Sequence, residues 1–114
     1  MEKEIELKTK QLIDAIKASD LYMQYETSCR ALDGYPGVFD RLMELRMKTI
    51  ALYENATEEE LLEGSDALAE QYEELQKIPE VNAFLESEEE LAHTLRKISA
   101  VVLKAVNMRL PNPQ

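Results

Sequence analysis

"PEVNAFLESEEELAHTLRKISAVVLKAV", residues 79–106, decides the fold of this chain of 114 residues. Val81, Phe84, Glu88, Leu91, Leu95, Ile98, Val102 and Ala105 recur at alternating steps of three and four. That is the seam of a helix packed along its length on other helices. Pro79 suits the first turn of such a helix, and Ile78, as the residue before proline, avoids the α region. The pattern therefore predicts a break at Ile78-Pro79 and a long C-terminal helix running to about Asn107.

The same stretch holds the chain's one histidine. Read as Glu90-Leu-Ala-His93, it has the Glu-x-x-His spacing that di-iron bundles use on inward-facing helices. At about 100° per residue, however, His93 lies roughly 160 to 200° from Leu91 and Leu95, on the outer face that Glu90 shares. A di-iron centre needs two such pairs and two further carboxylates, all projecting inward. The reading preferred is a solvated histidine among carboxylates, with no metal and no cofactor. A small metal- or ligand-binding bundle using Glu90 and His93 stands as the alternative. Glu88 is the odd member of the seam; it is expected to reach water near a helix end or to pair with an arginine such as Arg46.

Working outward, four more helices precede this one. The first runs from about Glu2 to Ala18, with Ile5, Leu12, Ile13 and Ile16 on one side. Ser19-Asp20 caps a second that carries Leu21, Tyr22, Tyr25, Cys29 and Leu32. Gly34-Tyr35-Pro36-Gly37 is the strongest break in the chain. A third helix carries Val38, Phe39, Leu42, Leu45, Thr49, Leu52 and Tyr53. Thr57-Glu58-Glu59-Glu60 is a capping box for the fourth, which places Leu61, Leu68, Tyr72 and Leu75 in register. Leu110-Pro111-Asn112-Pro113-Gln114 is expected to fray. No stretch carries a strand pattern. The expectation is an all-α fold, a bundle of about five helices with a long C-terminal helix.

Composition narrows the function classes. Hydrophobic residues at 45% and charged residues at 32% suit a chain that folds and stays soluble. A formal net charge of −10 argues against binding a phosphate backbone, which needs a basic face. The N-terminus is charged with no apolar run behind it, and no stretch nears the roughly 20 apolar residues of a membrane span. With a single cysteine, Cys29, the expected compartment is the cytoplasm. Cys29 has no histidine near it in sequence and lies on an apolar stripe, where a small buried hydrophobe is the default. No phosphate-cradling glycine loop and no paired-cysteine motif is present. The chain reads as a non-enzyme.

Charge is unevenly distributed. From Glu54 to Glu90 there are 14 acidic residues against one base, Lys77, and from Leu91 onward four bases (Arg96, Lys97, Lys104, Arg109) and no acid. The acidic run is a solvated helix face or a docking surface for a basic partner. On the last helix, Leu91, Leu95, Ile98 and Val102 are ample for packing within one molecule. Val101, Leu103 and Val106 widen the apolar belt beyond what one neighbouring helix covers. These seven residues form the candidate interaction surface, with a second subunit as its cover.

Three stretches, "AIKASDLYMQYETSCRAL", "LMELRMKTIALYE" and "LQKIPEVNAFLESEEELAHTLRKISAVV", resemble the YlbF/YmcA family of small helical bacterial regulators. The resemblance spans roughly residues 8 to 106 and implies one YlbF/YmcA-like helical domain over residues 1–114. It also implies association with itself or with family relatives, and no catalytic centre; the apolar last helix makes a dimer the first expectation. Some members are accessory factors in a complex that influences ribonuclease Y, messenger RNA processing, competence, sporulation and biofilm formation. Such a chain would act on RNA only through a protein partner. Members of that complex can give cysteines to iron–sulfur clusters; here Cys29 is the only cysteine, which departs from that pattern.

Overall fold

A computed structural model describes residues 1–107. Arg109 and the fraying tail expected at Leu110–Gln114 lie outside the described residues. Five α-helices follow one another: α1 (Lys3–Lys17), α2 (Asp20–Ala31), α3 (Val38–Asn55), α4 (Glu58–Gln76) and α5 (Pro79–Val106). A short 3-10 turn at Leu32–Gly34 stands between α2 and α3. No strand occurs among the described residues. The all-α expectation holds, long last helix included.

The breaks have local causes. The Ser19 hydroxyl donates to the Ile16 carbonyl at 2.6 Å and accepts the Tyr22 amide at 3.2 Å, so one side chain ends α1 and opens α2. Gly37 has φ +82°, the left-handed conformation in which a side chain is strained, and its carbonyl accepts the Arg41 amide at 2.9 Å as α3 begins. The Thr57 hydroxyl accepts the Glu60 amide at 3.2 Å and starts α4. The Asn82 side-chain amide donates to the Gln76 carbonyl at 2.8 Å, satisfying an orphan acceptor where α4 ends. Asn107 closes α5 in the left-handed region, φ 61°, which asparagine tolerates.

The chain divides into two units, Glu26–Leu85 and the remainder, Met1–Tyr25 with the chain from Glu86 on. In Glu26–Leu85, α3 packs on α4. Gly64 admits the Leu52 side chain so closely that an added Cβ would stand 2.7 Å from Leu52 Cδ1. Every fully buried large side chain described is here: Leu32, Leu42, Leu45, Val81 and Phe84. Phe39 meets Phe84 edge-on with ring centres 6.0 Å apart. Arg41 donates to Gln71 across the α3–α4 pair. Glu44 lies between Lys48, at 3.1 Å, and Arg41, at 3.3 Å. These cations, Lys48 foremost, hold its carboxyl below the usual range.

The other unit contains α1, the first turns of α2 and α5 from Glu86 onward. No residue of α1 is buried. Ile5, Leu12 and Ile13 are each about half exposed, and Leu7 joins them. The apolar side of α1 read from the sequence is present as a helix face, yet this chain leaves much of it to solvent.

Candidate interaction surface

The α5 backbone from Glu86 to Val106 is one uninterrupted helix, because the stretch holds no Gly or Pro and leucine, alanine, glutamate and lysine favour the state. It thus carries the seam and the added valines at fixed angles. Leu91 and Ile98 are half-buried. Leu95 is 44% exposed, Val101 59%, Val102 51%, Leu103 40% and Val106 65%. From Ser99 to Asn107 every residue is exposed. Cover of the seam falls from the buried Val81 and Phe84 to the exposed Val102 and Ala105, and between them Leu91 and Ile98 are better covered than Leu95. Leu95 and Val102, assigned by periodicity to packing within the molecule, are as open as Val101 and Leu103. Periodicity identifies a helix face; what covers that face depends on what lies beside it.

Glu90 and His93 are both exposed. Among the described residues no three or more His, Cys, Asp or Glu side chains stand close enough to hold a metal ion. Cys29 is half-buried. Glu88 is half-buried and engaged by a partner. Arg96 reaches back to Glu89 at 2.7 Å on the exposed side of α5. Lys97 and Lys104 are exposed.

The acidic run resolves into two settings. On α4, Leu61, Leu68, Tyr72 and Leu75 are half-buried, while Glu59, Leu62, Glu63, Asp66, Glu70 and Glu73 are exposed. Leu62 is the outlier on that charged side, at 69% exposed. Lys77 pairs with Glu74 at 3.1 Å near the end of the helix. Glu80, in the first turn of α5, is different. It accepts the Tyr35 hydroxyl, while its Oε2 is buried with no hydrogen-bond partner. This hydrogen bond, followed by burial and the Glu80 charge, raises the Tyr35 phenol above its usual value.

Two exposed apolar sets fall outside the seven α5 residues. One is Ile5, Leu7, Leu12 and Ile13 on α1; the other is Met47 and Ile50 on α3. Their spacing was visible in sequence, but a stripe at helical spacing is the same signal whether it faces a core or a partner.

No helix among the described residues is long and apolar enough to cross a membrane. Comparison with curated proteins and with solved structures returned no match. A family model described as "Control of competence regulator ComK, YlbF/YmcA" matches residues 5–107, from the first turns of α1 to the end of α5. Five helices, the long apolar α5 and a match over nearly the whole chain converge: this protein belongs to the YlbF/YmcA family.

Proposed function

We propose that the chain is a regulator without catalytic activity, working in the cytoplasm through protein–protein contacts made by the last turns of α5. The family's description, control of a competence regulator, supports a regulatory role. The observation that carries the mechanism is the set of exposed apolar side chains Leu95, Val101, Val102, Leu103 and Val106 on one helix. Each large apolar side chain left in water forgoes about 1.5 to 3 kcal/mol of burial, and several on one helix favour a covering subunit. That subunit is a second copy, a dimer in the simplest case, or a family relative. Such an assembly would serve as an accessory factor in ribonuclease Y-linked control of competence, sporulation and biofilm formation, touching RNA only through its protein partner.

Val101→Glu combined with Leu103→Glu tests this, followed by light scattering and circular dichroism. Both sites are exposed, so the helix should survive two charges. The expected result is loss of the oligomer with helicity retained. An unchanged assembly, or a wild-type chain that is monomeric at micromolar concentration, overturns the reading.

A further inference from the structure

We propose that α1 of one copy lies antiparallel on the end of α5 in a second copy, and α5 on α1 in return, about a twofold axis. The proposal rests on the self-association reading above and names the surface that covers α5. Both stretches belong to the same unit of the chain. On α1, Ile5, Leu12, Ile13 and Ile16 follow at steps of seven, one and three; on α5, Leu95, Val102, Leu103 and Val106 follow at the same steps. Each set spans an arc of about 100° and runs about 16 Å along its helix. Ile16 is half-buried, and the other seven keep between 40% and 65% of their surface open. Whatever cover one chain provides, both stripes remain largely bare. The shallow depression along Ile5, Thr9 and Leu12 is lined by residues between Glu2 and Leu12 alone; no other described residue borders it.

Each stripe also has a hollow. Thr9 on α1 and Ser99 on α5 stand at the same step, four residues after Ile5 and Leu95, in the middle of the arc, and both are exposed. The Thr9 hydroxyl donates to the Ile5 carbonyl at 2.7 Å, so its proton is placed within its own helix and the side chain can be covered. Setting Ile5 level with Val106, and Ile16 level with Leu95, brings the bulky pair Val102–Leu103 opposite Thr9. The bulky pair Leu12–Ile13 then comes opposite Ser99. Set parallel, bulk meets bulk and Thr9 meets Ser99 across a void. Cores interdigitate large against small, which selects the antiparallel register. One twofold rotation makes both contacts at once, whereas a single foreign helix would cover one stripe and leave the other bare. The two stripes leave open on the order of 600 Å², close to the ~800 Å² that each partner gives a stable interface. Val101 lies about 150° from the middle of the α5 stripe and takes no part, so Leu103 carries the effect of the double variant above.

The test uses the full chain. Leu12→Glu/Ile13→Glu is expected to weaken self-association roughly tenfold or more in a sedimentation dilution series, because each glutamate would be buried against α5 without a partner. Register is read by disulfide cross-linking between exchanged copies, each with one new cysteine in a Cys29→Ala background. Ile5→Cys with Val106→Cys, and Ile16→Cys with Leu95→Cys, are expected to cross-link. The parallel pairs, Ile5→Cys with Leu95→Cys and Ile16→Cys with Val106→Cys, stand about 16 Å apart along the axis in the proposed register and are expected not to. Circular dichroism records whether the α1 variant keeps its helices, and the cross-links read the contact whichever way that falls. An α1 variant that assembles like wild type, or cross-links in the parallel pairs or in neither set, overturns the proposal. If Val101→Glu/Leu103→Glu still disperses the wild-type assembly in that event, self-association through α5 stands and only α1 as its cover falls; a monomeric wild-type chain sinks both.

Discussion

Ser19 shows how much one side chain decides at the smallest scale. Its hydroxyl serves as donor to the helix that ends and as acceptor for the helix that begins, so α1 and α2 meet without a loop. Caps of this kind are legible in sequence because the residues that make them are local. The Tyr35–Glu80 bond is not, since it joins a turn to a distant helix and no spacing rule anticipates it. It has a consequence with a definite sign. The folded state holds the phenol proton more firmly than the unfolded chain does, so the stabilisation is complete below the ordinary tyrosine value of 10.0 and is lost as pH rises through the higher folded value. Tyr35→Phe is expected to lower the urea midpoint at neutral pH, with the gap to wild type closing above that value. A gap that stays constant from pH 8 to pH 11 would show that the proton on Tyr35 does not matter to folding.

Among the elements, α4 owes its start to Thr57 and its seat to Gly64. Thr57→Ala removes the acceptor for the Glu60 amide and is expected to cost about 1 kcal/mol, read from the shift in urea midpoint with an unchanged slope. A shift indistinguishable from zero would mean water satisfies that amide equally well. Gly64 lies within the α4 helix because the Leu52 side chain occupies the place where a Cβ would be. On α5 the sequence told the helix from its neighbours correctly and placed Glu90 and His93 on its open side. It did not tell which part of the seam is covered. Val81, Leu95 and Val102 occupy equivalent positions in the repeat, yet Val81 is buried while Leu95 is 44% and Val102 51% exposed. The repeat encodes direction around the axis, and burial depends on position along it.

At the scale of the whole molecule, net charge is the property most directly legible. With −10 overall, and with the lysines Lys97 and Lys104 set among apolar side chains, the isolated protein is expected to give no RNA or DNA gel shift at physiological salt and low-micromolar concentration. A salt-sensitive shift under those conditions would contradict that expectation. The distribution of burial was not legible. Composition predicts how much apolar surface a chain carries, whereas here the fully buried large side chains described belong to Glu26–Leu85 alone, and α1 buries none. That last fact bears on the life of the chain as well as its shape. A helix of 15 residues without a buried side chain is near the limit of what holds together in water. Its turns open and close by local fraying, at little cost, while the peptide bonds around Leu42 and Leu45 come free only when their unit unfolds. A protease meeting a solitary copy would nick α1 first, and any partner that seats α1 would lengthen the chain's survival simply by hiding that strand of peptide bonds.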